Sequence, residues 1–283
     1  MSTNFEHCVA LVREADHDRY LATLFAPAKH RGALFALYAF NVEISRVREL
    51  AREPMPGEIR LQWWREALAG EREGEAAAHP VAAALRATLT RYDIAAERLI
   101  ALIDAHGFDL YDEPMATLDD LDNYGSKTQG TLLGIAADIL GNAGAAGEAL
   151  SRHSGIANTV AGVLRGLPVH TARRQLYLPL ALLERHVLDR EAIFARQAGA
   201  PLSAALGELR RHARRHLAAA QMELAAAPPE ILPALLPVAL VGPVLRHMER
   251  RTYEPFELDP IPGWRRQWWL WRAARDPGRI FAA

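Results

Sequence analysis

Residues 38–50, YAFNVEISRVREL, carry two stripes of different chemistry. Ala33, Leu37, Phe40, Ile44, Val47 and Ala51 are apolar and follow each other at helical steps of four and three. Beside them run Tyr38, Asn41, Ser45 and Glu49. A polar stripe next to a core stripe is the pattern of a helix that lines a cavity. The question is what a cavity does with one serine and one glutamate. Other chemistry-bearing residues stand alone. His170 has no partner at ligand spacing, so no metal site is read from it. Gly130 and Gly134, four apart in a helical pattern, leave two readings open: close helix packing, or room for a ligand beside the backbone. Trp63 and Trp64 read as core and interface anchors. RRHARRHL, at 210–217, reads as a solvated helix face, with a basic patch for an acidic partner as the lesser reading.

The elements that must position these groups are helices. The chain has 283 residues, half of them hydrophobic, with alanine prominent, which favours helix. Pro80 suits a first helical turn. Thr117 and Asp120 have capping-box spacing, and Gly141 suits a helix end. Asp119, Asp120 and Asp122 read as first-turn charges favoured by the helix dipole. Further helices are expected over about 145–165, 201–225, 229–251 and 262–274. The breaks between helices are short and no alternating strand pattern appears, so one all-α domain over residues 1–283 is expected. Charge is balanced, 33 basic against 34 acidic residues, and no global field points to nucleic acid. The single cysteine, Cys8, excludes an internal disulfide and suits a reducing compartment. No run of 18 apolar residues predicts a spanning helix, and the N-terminus lacks the apolar core of a secretory signal. A cytoplasmic protein is expected. In GWRRQWWLWRAARDPGRIF, Trp264, Trp268 and Trp271 share a helix face flanked by Arg265, Arg266, Arg272 and Arg275. That face either closes the bundle or rests on an anionic membrane, on its inner side.

The segments YLATLFAPAKHRGALFALYAFN, LQWWREAL, LDNYGSKTQGTLLGIAADILG and VLRGLPVHTARRQLYLP, in that order and spacing, resemble the squalene and phytoene synthase family. The resemblance is clear over about residues 15–185 and looser beyond. It implies an all-helical isoprenoid synthase bundle with a central cavity. Family members join two prenyl diphosphates head to head using Mg²⁺, which two facing aspartate-rich segments hold. Aspartates at i and i+4 share a helix face and can clamp a hard cation that prefers oxygen ligands.

This chain departs from that pattern at both segments. The family's aspartate positions hold Ser45, Arg46 and Glu49 in the first and Gly166 and His170 in the second. Pro168 is expected to break the helix that would aim the second set. Asp104, Asp109 and Asp112 are candidate substitutes, but they do not make two facing clamps. The resemblance therefore implies a degenerate prenyl diphosphate transferase with no catalytic residues and no bound metal. The vestigial positions are Ser45, Arg46, Glu49, Gly166 and His170. Arg46, Arg165 and Arg173, with Arg174 nearby and Tyr124 on the cavity side, form either an anion pocket or ordinary salt bridges with Glu43 and Glu49. AFNVE in place of the aspartates, LDNYGSKTQGTLL, and YLP after a basic turn resemble one branch of the family. Its members are regarded as noncatalytic helpers in building NADH:ubiquinone oxidoreductase (complex I). Membership implies a protein partner among complex I subunits or assembly factors and no cofactor. Two alternatives stand beside it: an active prenyltransferase, which would need Mg²⁺, and an isoprenoid-binding protein without turnover.

Overall fold

The computed structural model describes residues 3–51, 53–111, 113–141, 144–258 and 260–282. Among them there is no strand. The longer helices are α1 (Thr3–Ala15), α2 (His17–Thr23), α3 (Ala28–Ser45), α4 (Pro54–Ala69), α5 (Pro80–Tyr92), α6 (Ala96–His106), α7 (Leu118–Gly125), α8 (Thr131–Gly141), α9 (Gly144–Ala172), α10 (Ala200–Glu223) and α11 (Gly263–Arg275). A one-turn π segment, Ser126–Gly130, joins α7 to α8.

Local signals explain the helix starts. Asp16 caps α2 by accepting from the Arg19 backbone N–H at 3.1 Å. Thr117 and Asp120 form the expected capping box on α7. Pro80 opens α5, where His79 accepts from Ala82 N–H.

Helix α3 is the axis of the bundle. Every residue from Ala33 to Val42 is buried, and Phe40 meets the fully buried Trp64 of α4 edge-on, with centroids 5.1 Å apart. This corrects the two-stripe reading. Tyr38 (1% exposed) and Asn41 (4%) belong to the core, and only Ser45 of that polar stripe reaches a cavity. The helix is apolar enough all round to be wrapped on every side.

Two further expectations change. Helix α9 does not stop before Pro168 but runs on to Ala172. A proline inside a helix costs one backbone hydrogen bond. Here the turn is held by burial of Leu164, Leu167, Pro168 and Thr171, and by the Thr171 hydroxyl, which donates to the Leu167 carbonyl at 2.8 Å. Arg196 donates to the Pro168 carbonyl at 3.3 Å. The helix expected over 229–251 is instead a series of short pieces, ending in a helix over Val241–His247, as prolines 233, 237 and 243 dictate. The segment Pro229–His247 has the length and mean hydropathy (1.4) of a membrane span, yet 72% of it is buried among the other helices.

Gly130 shows why α7, the π segment and α8 carry so many glycines. A Cβ on Gly155 of α9 would lie 2.2 Å from the Gly130 nitrogen, so the two backbones touch. The close-packing reading holds at Gly130. Both glycines also line a separate surface cleft, where a Cβ at Gly134 would lie 3.2 Å from an Arg98 guanidinium nitrogen.

Candidate functional site

The central cavity opens between α2, α6, α7, α9 and the Val241–His247 helix. An inner chamber of about 310 Å³ is lined by Arg19, Ser45, Asp109, Tyr124, Arg165, His170 and Tyr177, among others. A larger chamber of about 830 Å³ adjoins it, with Arg19, Asn158, Gly162, Arg165, Leu240 and Val244 common to both. The larger one is walled by Pro237, Met248, Ile261 and Trp269 and reaches Gly166.

The structure divides the expected site residues into two groups. Ser45, Tyr124, Arg165, Gly166 and His170 lie on the cavity. Arg46, Glu49 and Arg173 do not line it. They form a half-exposed ion cluster at its rim, Glu49 accepting from Arg173 at 3.3 Å and lying 3.6 Å from the Arg46 Nε. Arg174 turns away to Glu191 at 2.8 Å. Glu43 pairs with Arg60 at 3.1 Å, and His79 lies 3.7 Å from it. Arg46, Arg165, Arg173 and Tyr124 are therefore not assembled into one anion pocket.

The break in helical register falls at the first segment, not the second. α3 ends at Ser45, Arg46 turns with φ −93° and ψ 0°, and a single turn follows over Val47–Leu50. Ser45 thus points to the cavity while Glu49 sits outside it.

At the second segment the space is filled rather than misdirected. The His170 ring folds back on its own helix, and a Cβ at Gly166 would lie 2.4 Å from a ring carbon. The ring also packs on Tyr177 with centroids 4.6 Å apart. Burial, reinforced by Arg173 and opposed by Asp109, lowers the His170 pKa to about 4. A neutral imidazole stands where the family's pattern has a carboxylate.

The acid that lines the inner chamber, Asp109, is already satisfied. Asp109 accepts from Tyr124 OH at 2.9 Å and from Tyr177 OH at 3.0 Å, and its other oxygen lies 2.7 Å from His106 Nδ1. Burial, then Asp109, pushes the Tyr124 hydroxyl far above the ordinary phenol range, so it stays a donor. Asp104 pairs with Arg65 at 2.7 Å, on the outside of the bundle. Asp112 lies outside the described residues.

Arg19 is the cavity cation that spacing alone did not mark. Its guanidinium is buried, bonded to Asp16 and Gln129, and stacked over Tyr38 at 5.6 Å. The available signal was the i, i+3 pair Asp16–Arg19 in DHDR, too common in helices to single out. At the mouth Arg266 meets Asp18 at 3.1 Å. Arg165 has no side-chain hydrogen bond among the described residues.

These residues do not fit a Mg²⁺ clamp. The sequence resemblance implies two facing carboxylate segments for such a clamp, and among the described residues no three acidic or imidazole groups of the cavity gather at ligand spacing. Glu49 is held by two arginines, Asp109 by three donors, and Asp16 and Asp18 by Arg19 and Arg266.

Residues 12–272 match the family described as squalene/phytoene synthase. The chain belongs to that family. Its fold is the family's: a squalene synthase, HpnC, from Alicyclobacillus acidocaldarius superposes with a TM-score of 0.77 at 23% identity, covering 89% of this chain and 95% of that one. A dehydrosqualene synthase solved with a ligand superposes at 0.82 and 16% identity, covering 97% and 96%. A sequence relative from Mus musculus, named NADH dehydrogenase (ubiquinone) complex I, assembly factor 6, is 28% identical over 250 residues, spanning 88% of this chain and 75% of its own. Within the synthase family this chain thus keeps the bundle, and the positions that the sequence resemblance sets against the aspartate-rich segments hold Ser45, Arg46, Glu49, Gly166 and His170.

Proposed function

We propose that this squalene/phytoene synthase family member is a noncatalytic protein that assists assembly of NADH:ubiquinone oxidoreductase. The observation that carries the reading is the Arg46–Glu49–Arg173 cluster. In a diphosphate-transferring member the two segments would face each other as carboxylates bridged by metal. Here they are joined by fixed side-chain cations, and one of the two former clamp positions is filled by a neutral imidazole. A diphosphate leaving group needs divalent neutralisation, and these groups do not gather to supply it. Similarity to the relative named for complex I assembly supports the biological half of the reading.

The partner in this reading is a complex I subunit or another assembly factor. The site of action is the inner face of the cytoplasmic membrane, reached without a spanning helix. Support for that placement comes from α11, whose Trp264, Trp268 and Trp271 are 65%, 47% and 43% exposed.

The test joins genetics to an assay. Deleting the gene should lower the NADH:ubiquinone activity of membranes and leave their terpenoid content unchanged. Purified protein given farnesyl or geranylgeranyl diphosphate with Mg²⁺ should release no pyrophosphate. Normal complex I with missing terpenoids, or sustained turnover lost on Glu49→Ala, would overturn the proposal.

A further inference from the structure

Outside the cavity lining, three helices bring together a further group of titratable side chains. Asp122 of α7 lies between His212 and His216 of α10, one helical turn apart on the same face. His212 Nε2 is 2.6 Å from Asp122 Oδ1, and His216 Nε2 is 3.3 Å from Oδ2. The three ligand atoms all lie within 4.8 Å of one another. His153 of α9 completes the arrangement, its Nδ1 2.9 Å from the Nδ1 of His216.

This corrects two sequence expectations. Asp122 is not a first-turn charge, and 210–217 is not simply a solvated face, since His212 and Leu217 are buried.

We propose that Asp122, His212 and His216 form a binding site for a borderline divalent transition metal of the zinc class, with water as the fourth ligand. Two imidazoles and one carboxylate suit Zn²⁺ or Co²⁺ rather than Mg²⁺ or Ca²⁺. Tetrahedral ligands at bonds of about 2.0–2.1 Å stand about 3.3 Å apart. The His216–Asp122 separation already has that value. The His212–Asp122 contact must open slightly, as a hydrogen bond does when an ion replaces its proton. Asp122 and His216 remain partly open to solvent, at 23% and 13%, which leaves an entry path and room for the water.

The surrounding hydrogen bonds say how the metal-free site is kept. Arg215 donates to His212 Nδ1 at 2.9 Å, so the Nε2 of that ring carries the proton and donates to Asp122. Arg152 donates to His153 Nε2 at 3.1 Å, so His153 Nδ1–H donates to His216, which in turn donates to Asp122. Burial opposes the charge on Asp122, but the bonds from His212 and His216 hold its carboxyl well below the ordinary range. Metal on both Nε2 atoms requires the protons to move to Nδ1. His216 Nδ1–H would then donate to His153, the outer partner that fixes the tautomer of a metal-bound histidine. Arg152 and Arg215, both exposed, must let go. The metal and the two arginines compete for one network.

The experiment uses the full chain, stripped with chelator and dialysed, then titrated with Zn²⁺ and with Co²⁺. We expect one tightly held Zn²⁺ per chain, a melting temperature that rises with Zn²⁺, and tetrahedral Co²⁺ absorption. His212→Gln, His216→Gln and Asp122→Asn should each abolish all three. His153→Ala should weaken binding by roughly 10–100-fold. Exposed His7→Gln should change nothing. Arg215→Ala and Arg152→Ala should bind Zn²⁺ more tightly than wild type, a gain that a misfolded variant cannot imitate. Absence of a stoichiometric site, or binding indifferent to the three ligand variants and to both arginine variants, would overturn the proposal.

Discussion

His170 carries the clearest titration in the cavity, held at about pKa 4 against an ordinary 6.5, first by burial and then by Arg173. The consequence for stability follows from which state binds the proton. Between pH 6.5 and 4 the unfolded chain takes up a proton at this histidine and the folded chain does not. Stability from His170 is therefore complete above 6.5, falls as pH drops through that window, and levels off below about 4. His153, also pushed down by burial and by Arg152, adds a slope of the same sign. In His170→Gln the melting temperature should fall less steeply over this window than in wild type. An unchanged slope would mean that the ring takes up its proton in the fold as readily as in the unfolded chain. Glu49, by contrast, is half-exposed, and its pairs with Arg46 and Arg173 are worth at most about 1 kcal/mol. Its interest lies in what it replaces rather than in what it stabilises.

At the scale of elements, glycine separates packing from open space in one helix. Gly155 and Gly162 both lie in the interior of α9. A Cβ at Gly155 would meet Gly130 backbone at 2.2 Å, which backbone cannot yield cheaply, so Gly155→Ala should destabilise by about 1–3 kcal/mol or more. Gly162 has nothing within 4 Å of its Cβ position and faces the cavity, so Gly162→Ala should stabilise by about 0.5–1 kcal/mol. Chemical denaturation of the pair checks both signs, and two changes of like sign would refute the packing assignment. Most elements were legible in the sequence because helix signals are local: Thr117–Asp120, Pro80 and the 3.6-residue pattern of α3 each act within a turn or two. Two failures share a cause. At Pro168 the packing that outweighs the local cost, and at Asp122 the partner helix α10, 90 residues away in sequence, are not local signals. The ion cluster at the cavity rim was legible as an alternative. Its exclusion from the cavity was not, because it depends on the slight turn at Arg46, where the backbone relaxes to φ −93° and ψ 0° between two helical pieces.

For the whole molecule, the outer face of α11 decides between core and surface. The helix buries Leu270 and Ala273, and Trp269 lines the large chamber, so its attachment does not need the exposed tryptophans. The reading in which Trp264, Trp268 and Trp271 close the bundle is overturned. Each tryptophan instead lies beneath an arginine: Arg265 at 5.2 Å from Trp264, Arg272 at 4.4 Å from Trp268 and Arg275 at 4.1 Å from Trp271. Such pairs are worth about 0.5–1 kcal/mol at exposed sites, so removing two tryptophans should lower stability only slightly. A row of indoles with paired guanidinium groups matches the boundary between acyl chains and anionic head groups. Pro229–His247, the segment apolar enough to span, is unavailable for anchoring because the core uses it. In the proposed role, membrane contact therefore falls to α11. Wild-type protein should co-sediment with anionic liposomes at low salt and less so as salt rises, since the arginine contribution is screened. Trp268→Ala with Trp271→Ala should keep a near-native melting temperature and lose most of that binding. If wild type does not sediment at all, or if the double variant unfolds, α11 is not the membrane-facing element and the protein must reach its partner in another way.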